Sequence, residues 1–403
     1  MKAFLIAGEA SGDALGAALM AGLRQVRPDI EFAGVGGVLM QDRGLASLFS
    51  MDELSIMGLT EVLPKYFHLK RRIRETAEAI AAEAPDVVVT IDSPDFCLRV
   101  LALAKAANPA LKTVHYVAPS VWAWRPGRAK KMARVVDHVL ALLPFEPPYM
   151  TAAGMSCDFV GHPAAAEPVA SDADAQAFRE THHLQGADPL ILVLAGSRRG
   201  EVTRLLPIFT ETLKPIFAAH PGARVVMPTT GNVTDLVVEL TKDWPQQPVL
   251  LDPKQMTPAD YAQQKRAAFR AADVALAASG TVSLELAAAG TPMVMAYRLS
   301  PLSEVVIVRL LQVDTVTLVN LVSETRAVPD FIASHCTPEA LTAALEPLLT
   351  EGGERQAQRA AMDLTMQRLG RDGEAPGLRA AKSVLNVLET ARVSAGKPEQ
   401  SAG

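Results

Sequence analysis

Residues 2–26, KAFLIAGEASGDALGAALMAGLRQV, decide the fold, because an apolar run, a glycine turn and a helical pattern follow one another there. Residues 2–7 form an apolar run of strand length that ends at Gly8. Apolar residues from Leu15 to Val26 then recur at the spacing of one helix face. A strand, a tight turn and a helix in this order predict the start of a parallel α/β sheet.

The same pattern recurs in two series along the chain. In the first half, further strands are predicted at residues 86–91, at 112–117 and within 135–143. A second series opens at Pro189, with strands predicted at residues 190–194, 224–227, 249–251, 273–277 and 292–297. Between the series, residues 163–188 are rich in Ala, Asp, Glu and Pro, which is typical of a linker with a surface helix. The sequence therefore predicts an α/β protein of two Rossmann-like domains.

Composition excludes several classes of protein. With 403 residues, of which 49% are hydrophobic, the chain can bury two cores and is not globally disordered. A net charge of −5 gives no overall attraction for nucleic acid. Cys97, Cys157 and Cys336 lack disulfide or zinc-site spacing, so we expect a reducing cytoplasm. The longest apolar stretch, residues 274–297, is interrupted by Glu285 and glycines and does not predict a membrane span.

Two candidate sites follow strands of the first half. Residues 8–13, GEASGD, lie where glycine lets the backbone approach a ligand and a helix N-terminus favours negative charge. The alternative is a tight turn with Ser11 as the helix cap. Asp92 follows the run at 86–91, and a carboxylate at the carboxyl end of a buried strand can act as a general base. Its alternative, a helix cap, fits Asp95 better than Asp92.

A tryptophan loop follows the strand predicted at residues 112–117. It contains Trp122, Trp124 and Arg125, with more cations after them. Aromatic rings beside cations suit an amphipathic anionic ligand such as an acylated sugar phosphate. The alternative is a Trp pair that packs a long loop onto the core.

Residues 59–74 combine large apolar side chains with five cations. No acid occurs between Glu61 and Glu75, and the cations include Lys70, Arg71 and Arg72. Such a segment resembles an amphipathic helix that lies in a membrane interface. A core-facing helix with a solvated basic face is the alternative.

The second half carries a glycine turn with arginine after its first strand. Gly196, Ser197 and Arg198 form this turn, which is typical of a phosphate site. Solvated arginines on a loop are the alternative.

Residues 279–285, SGTVSLE, start a helix in the second half. The backbone N–H groups at its beginning, around Ser279, Gly280 and Thr281, can hold a diphosphate. Glu285, one turn further, can accept hydrogen bonds from both hydroxyls of a ribose. The alternative is an exposed acid on an amphipathic helix, although Glu285 lies in an apolar run where burial without a partner is costly.

Together with LPFE at 143–146 and GHP at 161–163, these motifs stand in the order found in the lipid-A-disaccharide synthase family, which the chain resembles over nearly its whole length. The resemblance implies two Rossmann-like domains facing across a cleft, the GT-B glycosyltransferase architecture, with no cofactor and no required metal. It further implies an acceptor and membrane-facing domain at 1–166, a linker at 167–188, a UDP-sugar donor domain at 189–371, a helix returning to the first domain at 372–392 and a flexible tail at 393–403.

The resemblance also implies a reaction. The enzyme would transfer 2,3-diacylglucosamine from UDP-2,3-diacylglucosamine to 2,3-diacylglucosamine 1-phosphate, giving the β1→6 disaccharide 1-phosphate and UDP. Asp92 would be the general base, and Glu9 and Ser11 would bind or orient the acceptor. Arg198 and the amides at 280–282 would stabilise the departing diphosphate. Asn320 matches a family position near the donor.

Acylated substrates imply peripheral contact with an anionic membrane, at the cytoplasmic face of the inner membrane. No nucleic-acid partner is expected, and a homodimer is left open. Two alternative functions are considered: a UDP-N-acetylglucosamine 2-epimerase-like enzyme of the same architecture, and a non-catalytic two-lobed solute-binding protein. The epimerase would need neither residues 59–74 nor the tryptophan loop. The solute-binding protein would need an export signal, for which the N-terminus is a poor match.

Overall fold

The computed structural model describes residues 1–54, 59–299, 304 and 310–395, with backbone alone at 59–65 and 391–395. The chain divides into two compact units, Met1–Ala166 with Asp372–Gly403, and Glu167–Arg371. Each unit is built on a parallel sheet whose strands alternate with helices. This architecture confirms the predicted pair of Rossmann-like domains.

The first unit contains β1 (Lys2–Ala7), α1 (Ala10–Val26), β2 (Glu31–Val35), α2 (Val38–Asp42), β3 (Ala46–Ser47), α3 (Leu59–Glu83), β4 (Val87–Ile91), α4 (Pro94–Ala107), β5 (Lys112–Tyr116), α5 (Gly127–Met132), β6 (His138–Ala141), α6 (Pro147–Thr151) and β7 (Ser156–Phe159). Its strands lie in the order β3-β2-β1-β4-β5-β6-β7. Helices cover both faces, so β4 is buried along its whole length and consists of apolar and β-branched residues. The strand order reverses between β1 and β4.

The second unit contains α7 (Asp172–Thr181), β8 (Leu190–Leu194), α8 (Arg199–Ala219), β9 (Arg224–Pro228), α9 (Thr234–Thr241), β10 (Val249–Leu251), α10 (Pro258–Ala271), β11 (Val274–Ala278), α11 (Val282–Ala289), β12 (Met293–Tyr297), α12 (Leu318–Ser323), β13 (Asp330–Ile332), α13 (Pro338–Leu345) and α14 (Gly353–Arg368). The strand order is β10-β9-β8-β11-β12-β13, which reverses between β8 and β11. Helix α7 packs on α10, and its Arg179 pairs with Asp273 at 3.0 Å.

A last helix, α15 (Pro376–Ala395), packs on α1 of the first unit. A Cβ at Gly22 would lie only 2.4 Å from the Gly377 carbonyl oxygen, so glycine permits this close approach. The Ser383 hydroxyl contacts His138 Nε2 at 2.8 Å and donates to Asp158 at 2.6 Å. These contacts hold α15 against β6 and β7.

Candidate functional site

Each sheet has one point where its strand order reverses, and turns after the flanking strands meet there. In the first sheet, Ala7 of β1 pairs with Ile91 of β4, so Gly8 and Asp92 continue from neighbouring strand ends. In the second sheet, β8 and β11 are the corresponding neighbours. The predicted motifs at residues 8–13, 92, 196–198 and 279–285 therefore lie at these two switch points.

The backbone turns sharply after β4. Asp92 and Ser93 have φ angles of +52° and +44°, in the left-handed region that non-glycine residues rarely adopt. Such residues cost about 1–3 kcal/mol each and cluster at functional sites. Helix α4 begins at Pro94 with Ser93 as its N-cap and without a side-chain cap, so the alternative that Asp95 caps the helix is wrong. The half-buried Asp92 therefore stands on a backbone conformation that the fold imposes.

The turn after β1 contacts the turn after β4. A Cβ at Gly8 would lie 2.5 Å from Ser93 Oγ, so this position requires glycine. Helix α1 begins with Glu9 as its N-cap and without a side-chain cap, so the alternative that Ser11 caps the helix is wrong. Glu9 is half-buried and Ser11 is exposed, at the same sheet edge as Asp92.

Asp13 ends this motif and has a role that the sequence did not indicate. Its buried carboxylate accepts hydrogen bonds from the N–H groups of Gly37, Leu39 and Met40 at 2.9, 2.9 and 3.0 Å. The acid thereby holds the loop after β2 beside the switch point. An acid one turn into an otherwise apolar helix face was the available signal.

The two tryptophans of the loop after β5 differ in exposure. Trp122 is 9% exposed, its Nε1 donates to Glu146 at 3.3 Å, and its ring meets Phe145 edge-on at 5.3 Å. These contacts favour the alternative that Trp122 packs the loop onto the core, while a role of Trp122 toward the acceptor or a membrane stays a prediction. Trp124 is half-buried, and the Arg125 guanidinium lies over its ring at 4.3 Å.

Glu146 is the buried anchor of this loop. Besides Trp122, it accepts a hydrogen bond from the Leu143 N–H at 3.0 Å. Burial raises the pKa of the Glu146 carboxyl to about 7, against the opposing effect of these hydrogen bonds. The sequence placed Glu146 in a motif but did not indicate its task of holding the tryptophan loop.

Helix α3 carries the basic segment that was predicted to meet a membrane. Lys70 and Arg71 are exposed. The Arg72 side chain is only 17% exposed and is bound by both oxygens of Glu53, at 2.7 and 2.8 Å. Arg72 therefore already has a partner within the protein, and its place on a membrane-facing surface stays a prediction. The predicted side chains at 59–65 lie outside the described part of the chain.

The turn after β8 places Gly196 at a φ of +109°. Glu201 lies directly against it and accepts hydrogen bonds from the N–H groups of Ser197 at 3.1 Å and Arg198 at 3.3 Å. The Arg198 guanidinium, 63% exposed, binds the other oxygen of Glu201 at 3.2 Å. A carboxylate of the chain thus occupies the donors that suit a phosphate oxygen.

The turn after β11 leads into α11. Ser279 is half-buried, whereas Gly280 and Thr281 are exposed. Glu285 Oε2 accepts a hydrogen bond from Lys265 Nζ at 2.5 Å, and both side chains are about one third exposed. Lys265 is the partner that the apolar setting of Glu285 requires. Sequence reasoning did not identify it.

Asn320 is 1% exposed and fully engaged. Its Nδ2 donates to Thr315 Oγ1 at 3.1 Å and to the Val328 carbonyl at 2.8 Å, while its Oδ1 accepts from the Val328 N–H at 3.0 Å. Both N–H donors are therefore used within the protein. The Asn320 side chain fixes the segment before β13, and its place near the donor stays a prediction.

Three further observations concern membrane-spanning helices, metal sites and the cysteines. Within the described residues, no helix combines the length and apolar character needed to cross a bilayer. In the same residues, no group of three or more His, Cys, Asp or Glu side chains is arranged to hold a metal ion. The three cysteines are unpaired, and burial raises the pKa of Cys157 to about 12.

The two Rossmann-like domains, each with one switch point, place the chain in the GT-B fold class. The fold resembles a UDP-N-acetylglucosamine 2-epimerase from Neisseria meningitidis bound to UDP-N-acetylglucosamine, with a TM-score of 0.63 and 13% identity over 97% of this chain and 100% of that one. It also resembles a glycosyltransferase from Rickettsia africae, with a TM-score of 0.59 and 12% identity over 97% and 98% of the two chains. At these identities the likeness concerns the fold alone.

Sequence comparison narrows the class to one family. Residues 3–380 match the lipid-A-disaccharide synthetase family. The chain is 61% identical over 388 residues, 96% of either chain, to lipid-A-disaccharide synthase from Ruegeria pomeroyi. It is 45% identical over 401 residues to the synthase from Rhodospirillum centenum, covering 99% and 98% of the two chains. The chain belongs to this family and is a glycosyltransferase of lipid A biosynthesis; the comparisons support neither the epimerase nor the solute-binding alternative.

Proposed function

We propose that the protein transfers 2,3-diacylglucosamine from UDP-2,3-diacylglucosamine to the 6-hydroxyl of 2,3-diacylglucosamine 1-phosphate. The products are the β1→6 disaccharide 1-phosphate and UDP. The observation that carries the proposal is the placement of Asp92, a carboxylate on strained backbone at the switch point of the first sheet.

Asp92 takes the proton of the acceptor hydroxyl as its oxygen attacks the anomeric carbon of the donor. The bond from that carbon to the UDP oxygen breaks with inversion, and the electron pair leaves with UDP. Arg198 and the amides at 280–282 stabilise the negative charge that develops on the diphosphate. Glu9 and Ser11, at the edge that carries Asp92, orient the acceptor.

Donor binding requires two exchanges of partner in the second unit. Arg198 leaves Glu201 for a phosphate oxygen, which replaces one anionic acceptor by another. Glu285 exchanges the hydrogen bond from Lys265 for those from the ribose hydroxyls. Each exchange replaces one hydrogen bond of a charged group by another, and Glu201 keeps the bonds from the N–H groups of Ser197 and Arg198.

Membrane contact is peripheral and uses the exposed part of α3. Phe67 is 81% exposed and Tyr66 is 44% exposed, one turn before the exposed cations Lys70 and Arg71. Exposed aromatic rings next to cations suit the headgroup region of an anionic bilayer. Acylated substrates lie in such a bilayer, and we place the enzyme at the cytoplasmic face of the inner membrane.

The test is a reaction of the purified protein with both acylated sugars, analysed by mass spectrometry. We expect a disaccharide monophosphate and UDP in equal amounts, with the β1→6 linkage assigned by nuclear magnetic resonance. A parallel incubation with UDP-N-acetylglucosamine alone should leave that sugar unchanged. Epimerised UDP-sugar without any disaccharide would refute the proposal.

A further inference from the structure

A recess of about 630 Å³ opens in the first unit beside the proposed base. Its walls come from the start of α4, from the turn after β5 and from α5. Cationic side chains from Arg125, Arg128 and Lys131 line it, together with the apolar Leu98 and Met132. A volume of this size is within the range of small-molecule sites.

The charges of the recess favour an anion. Arg125, Arg128 and Lys131 form no ion pair with any carboxylate in the described part of the chain, whereas Arg72 and Arg198 do. Asp95 is the one acid that lines the recess, so three cations face one carboxylate. Unpaired like charges in a concave surface raise the local concentration of anions.

The apolar part of the lining limits the kind of anion. Pro94, Leu98 and Pro119 are half-buried and form its accessible surface, whereas Met132 is only 1% exposed. A free inorganic anion would leave this surface in contact with water. A phosphate monoester that carries an apolar group would cover it and gain the corresponding burial energy.

The position of the recess connects it to the proposed reaction. β4 and β5 pair side by side with Ile91 opposite Tyr116, and the recess begins two residues after Asp92 and three after Tyr116. Positive φ angles at Val117 (+83°) and Arg125 (+51°) shape the loop between them. An anion held there lies at the strand edge that carries the base.

We propose that this recess binds the anomeric phosphate of the acceptor, with Arg125, Arg128 and Lys131 as its ligands and the apolar wall against an acyl chain. The inference rests on the proposed function, which supplies a phosphorylated, acylated acceptor. It makes these cations determinants of specificity, because they discriminate between acceptors with and without the phosphate.

The test compares two acceptors, 2,3-diacylglucosamine with and without its 1-phosphate, in detergent micelles without anionic lipid. For Lys131→Ala and Arg128→Gln, we expect the KM of the phosphorylated acceptor to rise on the order of tenfold or more, as for a lost charged hydrogen bond. The KM of the unphosphorylated acceptor and of the UDP-sugar should stay unchanged. Lys130→Ala removes a neighbouring exposed cation outside the recess and should behave as wild type.

The possible results distinguish a failure of the recess proposal from a failure of the proposed function. Wild-type preference for the phosphate in both variants would overturn the recess proposal while leaving the proposed function intact. If the wild type made no disaccharide, titration with glucosamine 1-phosphate would still decide, since binding that Lys131→Ala weakens supports the recess. Should Arg128→Gln unfold, the exposed Lys131 variant settles the question. Loss of binding to anionic vesicles with unchanged acceptor preference would assign the cations to lipid headgroups and overturn the inference.

Discussion

The switch points of the two units occupy the same topological position but differ in their backbone. Around β4 and β5 of the first unit, the positive φ angles fall on Asp92, Ser93 and Val117, where a side chain makes them costly. After β8 of the second unit, the positive φ falls on Gly196, which adopts it without strain. The first switch point therefore contains strained backbone at residues with side chains, which is the feature on which the proposal of Asp92 as the base rests.

The two switch points also differ in whether their charged side chains form ion pairs. Asp92 forms no ion pair with any residue that the structure describes. In the second unit, Arg198 pairs with Glu201 and Glu285 with Lys265. Charges that already have partners are suited to exchange them for a ligand. We therefore expect substitution of Asp92 to reduce the rate, and substitution of Arg198 or Glu285 to reduce the affinity for the donor.

The largest effect should follow from Asp92→Asn. Asparagine tolerates a positive φ, so the substitution removes the base without adding backbone strain. We expect kcat to fall on the order of 100- to 10,000-fold, with UDP affinity nearly unchanged. Steady-state kinetics and calorimetry with UDP measure the two quantities. Asp29→Asn, an exposed acid before β2, is the matched control, and more than about a tenth of kcat remaining in Asp92→Asn would remove Asp92 from the role of base.

The next largest effect should follow from substitution of Glu146, the buried acid that holds the tryptophan loop. Because the pKa of Glu146 rises from 4.5 to about 7 on folding, its contribution to stability is fully present below 4.5 and is lost as pH rises through 7. Glu146→Gln should remove this dependence. The free energy of unfolding of the variant relative to wild type should therefore increase between pH 4.5 and 8, by at most about 3 kcal/mol.

Urea unfolding of both proteins across this pH range tests the prediction. The exposed Glu339→Gln variant controls for the loss of one negative charge. Parallel pH profiles for wild type and Glu146→Gln would mean that Glu146 does not change its protonation on folding.

In the second unit, Arg198→Ala and Glu285→Ala should weaken UDP binding by roughly 1.5–3 kcal/mol each, the value of a charge-assisted hydrogen bond. The existing partners Glu201 and Lys265 compete with the ligand, which favours the lower end of that range. Calorimetry with UDP measures the loss. Lys242→Ala, an exposed cation outside both motifs, is the control, and unchanged affinity in both test variants would place the donor site elsewhere.

The fold could be predicted because its signal is local. Apolar runs of strand length alternate with helix-spaced apolar residues, and strands such as Leu190–Leu194 and Val249–Leu251 have the predicted bounds. Glycine turns and acids at strand ends then located both switch points. This information lies within a few residues of each motif, so one sequence suffices to find it.

Three predicted site residues have partners within the protein that the sequence pattern did not indicate. Trp122 is bound by Glu146, 24 residues away, and Arg72 by Glu53, 19 residues away. The side-chain amide of Asn320 forms hydrogen bonds with Thr315 and Val328. Composition shows that a side chain can meet a ligand or membrane, but only the fold shows whether the protein already satisfies it.

Helix α3 contains both kinds of side chain, those that are exposed and can meet a membrane and one that an acid already binds, in three consecutive residues. Lys70 and Arg71 are exposed, and the nearby Phe67 offers an apolar ring to a bilayer. Arg72 is held by Glu53 and also lies over the Phe49 ring at 4.4 Å. The first two should act on a membrane, whereas Arg72 should act on stability.

The smallest expected effect is therefore on membrane binding. Lys70→Ser with Arg71→Ser should weaken binding to anionic vesicles by about 1 kcal/mol per cation at low salt, and added salt should reduce the difference because it screens exposed charges. Arg72→Ser should instead lower the free energy of unfolding, since Glu53 loses its main partner. Co-sedimentation with vesicles at low and high salt, beside urea unfolding, measures both. Lys242→Ser, an exposed cation of the second unit, is the control. Equal vesicle binding by wild type and the double variant at low salt would make this face a solvated helix surface, and any membrane contact would then lie elsewhere.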